Sequence, residues 1–497
     1  MSPRSHLEPD IAPSHVVFSN TVVDRPSDTF PSQQPMAGDK PPGKLSRRPW
    51  NFFATALNAI KHNLETKPLP APGVRESILA IVKTSWLNVL LIFIPLSWIF
   101  HFLHLSNTLI FVFSFLAIIP LAKLLAFATD DLSMRLGQTL AGLLNATLGN
   151  AVELIVAIIA LVKCELSVVQ SSLVGSILSN LLLVLGMCFF AGGTRFSEQG
   201  FGISAVQLNS SLLTLSVIAV LLPAAFHNAV QPSDGVPDPL TNAQEGDDIL
   251  SISHGVAVIL LFIYLCYLVF QLVSHKDLYK DDASTIQQTV PYRGKMARRL
   301  HTHDPESHPA SSSPPPDHRS EAGQTGDDDE KPKMGVRTTI VLLGVVTVVV
   351  AVTAEFLVDS IDGLTSTGHI SKGFVGLILL PIVGNAAEHV TAVAVSVKDK
   401  LTLSLGVAVG SSIQIALFVI PFTVVLGWIL NKPLTLLFDP FESIVLFLAV
   451  LTVNYVVQDG KSNWLEGMIL MCLYLIVAVV FWYYPVSDPA GILATCK

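Results

Sequence analysis

Two stretches decide how this chain folds: Gly149-Asn150-Ala151-Val152-Glu153-Leu154 and Gly384-Asn385-Ala386-Ala387-Glu388-His389. Each sets an amide and a carboxylate at the head of a run that stays almost wholly apolar, to Val162 in the first case and Val397 in the second. At the centre of a bilayer-spanning helix a carboxylate costs about 2.5–3.5 kcal/mol on insertion scales. A chain that carries this feature twice, in matching words, uses it.

Outward from these stretches the sequence reads as membrane. A helix needs about 20 mostly apolar residues to cross the hydrocarbon core. Eleven such segments are expected, near 85–104, 107–128, 137–162, 168–191, 202–225, 249–274, 337–358, 373–397, 401–430, 437–457 and 464–484. The whole chain is 51% hydrophobic and only 14% charged, where soluble domains carry about 25% charge. No Lys or Arg is expected mid-span at a depth to pair with Glu153 or Glu388.

The rest divides by composition. Residues 1–84, rich in Pro, Ser and charge, are expected to form a disordered cytosolic tail. Residues 85–106 hold an extra first transmembrane helix, 107–274 and 337–484 hold five helices each, and 485–497 form a short tail. The polar interval 275–336 must lie outside the bilayer. It carries nine Lys and Arg residues, from Lys276 to Lys333, whereas 226–248 carries none. Positive loops stay cytosolic, so the N-terminus should be cytosolic and the C-terminus lumenal. Cys164, Cys188, Cys266, Cys472 and Cys496 form no Cys-x-x-Cys pair and read as packing residues rather than a disulfide frame or zinc site.

The two opening motifs are one motif repeated. Each is followed by a second polar cluster, Gly175-Ser176-Ile177-Leu178-Ser179-Asn180 and Gly410-Ser411-Ser412-Ile413-Gln414. Glu153 to Asn180 is 27 positions and Glu388 to Gln414 is 26. Ala128-Thr129-Asp130 and Thr353-Ala354-Glu355 are weaker partners, at helix ends where cap or gate roles compete. A unit of five helices is odd, so the second copy enters from the opposite side. The expected fold class is therefore an all-α polytopic membrane protein of eleven transmembrane helices, one extra helix plus two inverted five-helix repeats, with an ion site where they meet.

The chemistry of the motifs is oxygen chemistry. Glu153 and Glu388 would neutralise a divalent cation. Asn150 and Asn385 lie three residues before them on one helix face. Gly149 and Gly384 favour a helix break that frees carbonyls, while Ser176, Ser179, Asn180, Ser411, Ser412 and Gln414 add neutral oxygens. Such a set suits calcium, manganese or magnesium and disfavours copper or zinc. Desolvation favours a protonated carboxyl and a nearby cation favours the ionised one. Protons and cation would therefore compete at Glu153 and Glu388, with His389 a second titrating group. A lone serine, or His389, is equally what a packed membrane helix contact contains; two carboxylates in repeated motifs are not.

These paired motifs closely resemble those of the calcium/proton exchangers of fungal and plant vacuoles, the cation-exchanger branch of the calcium/cation antiporter superfamily. The likeness covers about 85–484. The superfamily's sodium/calcium exchangers usually have Pro before the acidic residue, whereas Val152 and Ala387 stand there in this chain. The resemblance implies calcium entering the vacuole in exchange for lumenal protons, with calcium as transported substrate and no cofactor. It also implies a multi-pass vacuolar location. The family often carries an acidic helix between its halves; only Asp327, Asp328, Asp329 and Glu330 stand near that place, amid Pro-rich sequence.

Two other functions fit parts of the pattern. A passive divalent-cation channel would need the oxygens but no proton dependence. An intramembrane enzyme with a carboxylate dyad would need the carboxylates, but the sequence has no nucleophile elbow, His-Glu-x-x-His motif or nucleotide loop. His301, His303 and His308 have irregular spacing, which argues against a metal site there. The expected partners are calcium ions, protons and the lipid bilayer; a homo-oligomer stays open. The basic residues flank spans without an aromatic platform, so nucleic acid is not expected.

Overall fold

The structure, a computed structural model, describes residues 72–136, 138–230, 241–275, 278, 289–292, 332–366, 368, 370–485 and 496. The expectations for residues 1–71, 301–308 and 327–330 fall outside these.

Nearly all described residues are helical. Helix α1, Val74–Lys83, corrects the expectation of disorder up to residue 84. Val74, Ile78, Ile81 and Val82 recur at helical spacing. The Glu76 carboxylate accepts from Gly73 N at 3.2 Å, and Ser77 Oγ accepts from Gly335 N at 3.1 Å. The chain then bends by 92° into the first span, Trp86–Phe102, whose second half is α2, Phe93–Phe102.

Then come α3 (Asn107–Leu136), α4 (Gln138–Leu148), α5 (Ala151–Val162), α6 (Leu166–Gly193), α7 (Ile203–Val230) and α8 (Ala243–Ser274). After the polar interval follow α9 (Val336–Thr365), α10 (Lys372–Gly384), α11 (Ala386–Ser396), α12 (Leu401–Ile429), α13 (Pro440–Val456) and α14 (Trp464–Tyr483). Among the described residues seven helices are long and apolar enough to cross a membrane, or nine if each of two bent pairs is one span; α5 and α13 are shorter apolar helices. Large apolar side chains such as Val341, Val345, Val348, Leu475, Ile476 and Val479 are exposed, as the wall of a lipid-embedded body requires.

Several helices outlast their expected segments because polar partners hold their ends. Helix α3, expected to end at 128, runs to Leu136. Buried Asp131 accepts from Lys333 N at 2.6 Å, Met334 N at 3.1 Å and Thr339 Oγ1 at 2.9 Å. The bonds to Lys333 and Met334 set the added turns beside the polar interval, and Lys123 lies about two turns before Asp131.

The polar interval also contributes structure. Strands β1 (Phe196–Gly200), β2 (Val290–Pro291) and β3 (Lys461–Ser462) form a small antiparallel sheet in the order β2-β1-β3. On the opposite face, Cys164 and Cys496 form a disulfide. This corrects their reading as packing residues; Cys188 is free and buried, Cys266 and Cys472 free and exposed.

Two contacts bring the halves of the chain together at the motifs. Helices α6 and α10 touch backbone to backbone: a Cβ on Gly175 would lie 2.1 Å from Leu377 O. Both α6 and α12 widen by a π-helical turn beside their polar clusters, at Ser179–Val184 and Ile415–Val419. Such turns change which face the following residues present and are frequent at functional sites.

Candidate cation site

Both opening motifs sit at helix breaks. Gly149 and Asn150 separate α4 from α5, with Asn150 at φ −101°, ψ 31°; Asn385, at φ −85°, ψ 1°, separates α10 from α11, which bend by 57°. The breaks place Glu153 and Glu388 in the first turns of α5 and α11. A helix N-terminus carries partial positive charge, which favours a carboxylate there.

The clusters answer one another across the chain's two halves. Asn150 Nδ2 donates to Gln414 Oε1 at 2.6 Å, Ser411 Oγ donates to Asn150 Oδ1 at 2.7 Å, and Asn180 Nδ2 donates to Ser411 Oγ at 3.1 Å. In the reverse sense, Asn385 Nδ2 donates to Ser176 O at 3.5 Å. Thus the amide of each break bonds to the polar cluster of the other half. Ser179 Oγ lies 3.4 Å from His389 Nε2. Gly384 abuts Glu153, and Gly149 lies beside Gln414. Ser412 turns away, its hydroxyl donating to Ala408 O at 3.0 Å.

Asn150, Glu153, Ser176, Ser179, Asn180, Asn385 and Ser411 are all buried. Among the described residues of the site, three buried oxygen atoms accept no hydrogen bond: Asn180 Oδ1, Asn385 Oδ1 and, on half-buried Glu388, Oε2. Buried acceptors are rarely left so, since each unmet one costs about 1–3 kcal/mol. A set of oxygens short of donors is what a cation satisfies.

Space flanks the carboxylates on both sides. A pocket of about 20 Å³ touches Glu153, Ser172, Ser176 and Gly384, room for about one water or a bare ion. A cavity of about 250 Å³ reaches from Gly149, Glu388, Ser411 and Gln414 past Lys123, Thr391 and Asn145 to Asp130, which is exposed. Glu355 takes no part: it is exposed and pairs with Lys163 at 3.4 Å.

Three polar groups escaped the sequence reading. Lys123 donates to Thr391 Oγ1 at 3.2 Å within the larger cavity. Asn145, one turn before Gly149, lines it too. Glu442, 1% exposed, accepts from Ser171 Oγ and lies beside the Asp439 that caps α13. The Pro440-Phe441-Glu442 opening of an apolar run was the available signal for the last.

The family model described as "Sodium/calcium exchanger protein" matches residues 106–273 and 338–483. A vacuolar calcium ion transporter of Cryptococcus neoformans var. grubii is 53% identical over 85% of this chain and 78% of its own length. A Ca2+/H+ antiporter of Synechocystis is 42% identical over 81% of this chain and 98% of its own. Among solved structures, that of the Ca2+/H+ antiporter protein YfkE shares 28% identity over 80% of this chain and 99% of its own, with a TM-score of 0.59.

Proposed function

The chain belongs to the sodium/calcium exchanger protein family, and from that premise we propose that calcium and protons exchange at Glu153 and Glu388 by competing for one site between the two halves. The relatives' names place the chain among the vacuolar calcium/proton exchangers, a branch of multi-pass membrane transporters. A passive channel finds no support among relatives named antiporter and exchanger.

One observation carries the site assignment. Carboxylates from α5 and α11 flank buried amide and hydroxyl oxygens, of which Asn180 Oδ1 and Asn385 Oδ1, with Glu388 Oε2, lack donors. Calcium takes about six to eight oxygens, and Glu153, Glu388, Asn150, Asn180, Asn385, Ser176, Ser179, Ser411, Gln414 and the carbonyls of Gly149 and Gly384 are the supply. Protonating both carboxyls removes the charge that holds the ion. Binding two protons therefore releases one calcium, and the ion's arrival expels them. His389, against Ser179, is a polar neighbour through which a proton can pass.

In this reading Trp86–Phe102, the bent α10–α11 pair and the α4–α5 pair each make one span, giving eleven. The first span stands outside two inverted five-helix units, 107–274 and 337–484, joined by the cytosolic interval 275–336. Orientation rests on the basic loop: the β2-β1-β3 face is cytosolic, and the face with the Cys164–Cys496 disulfide is lumenal. The large cavity then faces the cytosol, so this is the calcium-loading state. Release requires the lumenal side to part, where Lys163 pairs with Glu355 and Asp359, and Lys372 with Glu165 and Asp362. Exposed pairs like these are worth about 0.2–1 kcal/mol each, weak enough to open and close in a transport cycle.

The test is calcium uptake into vesicles under an imposed pH gradient. Glu153→Gln and Glu388→Gln should each abolish gradient-driven uptake while inserting at normal levels. Wild-type rates in both at matched expression would remove the assignment.

A further inference from the structure

Lys123 is the one cationic side chain among the described residues lining the site's larger cavity. It lies 16 residues into the 30-residue α3, about 24 Å along a helix about 45 Å long. An ammonium on a membrane-spanning helix is costly unless water or counter-charge meets it. Its stem reaches across to α11, where Nζ donates to Thr391 Oγ1 at 3.2 Å. Thr391 is one turn beyond Glu388 on the same face, so the ammonium is held about 5 Å along the axis from the Glu388 turn, on its cavity side. Asp130, two turns from Lys123 along α3, lies further toward the cavity's exposed end. A cation entering this cavity meets Asp130, then the ammonium, then Glu388.

We propose that Lys123 is a tethered counter-cation that sets calcium affinity on the cavity-facing side of the site. Its fixed positive charge partly neutralises the carboxylates when no ion is bound. It repels an ion bound at the carboxylates, so binding is weaker than the oxygens alone would make it. Coulomb energy scales with the ion's charge, so a divalent ion feels Lys123 twice as strongly as a monovalent one. Thr391 is a positioning residue in this device. The proposal rests on the exchanger reading above, and the test separates the two.

Calcium uptake is measured in vesicles whose cytosolic face is outward, under an imposed pH gradient. Lys123→Met and Lys123→Gln should lower KM for calcium roughly fivefold. Lys123→Arg should keep the wild-type value, and Thr391→Val, which breaks the bond but keeps the charge, should move KM far less than Lys123→Met. The ratio of wild-type to Lys123→Met KM should shrink as ionic strength rises, because the cavity reaches exposed Asp130 and salt screens charges open to solvent; a role in packing alone would not depend on salt. Unchanged or raised KM in inserted, transporting Lys123→Met overturns the proposal and leaves the exchanger reading standing. Absence of gradient-driven uptake in the wild type overturns both.

Discussion

Glu153 rests against Gly384: a Cβ added at Gly384 would stand 2.6 Å from Glu153 Oε1 and 3.2 Å from its carboxyl carbon. The missing side chain of one break thus makes the space that the carboxylate of the other half occupies. Gly384→Ala should fold and insert, because the clashing atoms are the free end of a flexible side chain. It should push the Glu153 carboxylate off its position, and a loss of about 1.4 kcal/mol in binding is tenfold. Calcium uptake should therefore show a KM raised roughly tenfold at near-normal expression. An unchanged KM would mean that Glu153 does not act from this position.

The neighbouring serines of α12 separate by their bonds. Ser411 Oγ links Asn150 to Asn180, whereas Ser412 Oγ only returns to Ala408 O. Ser411→Ala leaves Asn150 Oδ1 and Asn180 Nδ2 without that partner, and each buried group so stranded costs about 1–3 kcal/mol. Ser411→Ala should weaken calcium uptake about tenfold or more, and Ser412→Ala should stay within about twofold of wild type. Equal effects from the two would show that the hydrogen-bonded chain is not what orders the site.

The repeated motifs were legible because Gly-Asn and Glu interrupt runs that are otherwise apolar, and because near-equal spacings tie each to its second cluster. Other features depended on facts that lie far off in the chain. Helix α3 continues to Leu136 with Asp131 held by Lys333, Met334 and Thr339, some 200 residues away. Lys123 gave no signal because its partner, Thr391, stands 268 positions away. The Cys164–Cys496 pair spans a sequence separation of 332 and has no local signature. Helix α1 hid in a polar tail although its cap, Gly73 with Glu76, is local; its bond from Gly335 N to Ser77 Oγ reaches it from far along the chain. Ser411 and Ser412 are chemically alike, and only the register of α12 tells them apart.

Competition fixes the sign of the pH dependence. A protonated carboxyl cannot hold calcium, so raising the pH on the loading side removes the competitor. The KM for calcium on that side should fall as its pH rises, then level off once both carboxyls are ionised. With two carboxyls in the site, a logarithmic plot of KM against pH should have a slope no steeper than two. Uptake kinetics at fixed lumenal pH and varied external pH measure this. A KM indifferent to external pH would separate the protons from the calcium site and require another path for them.

The disulfide supplies a check on orientation that does not use transport. Disulfides persist in compartments outside the reducing cytosol, and Cys164 and Cys496 lie on the face opposite the β2-β1-β3 sheet. If that face is lumenal, Cys496→Ser leaves Cys164 as a thiol inside sealed vesicles whose cytosolic face is outward. With Cys266 and Cys472 replaced by Ala, a membrane-impermeant maleimide should label Cys496→Ser only after permeabilisation. The same background with Cys496 intact should need reductant as well. Labelling of Cys164 in sealed vesicles would invert the topology, turn the large cavity toward the lumen, and make this conformation the one that releases calcium rather than the one that loads it.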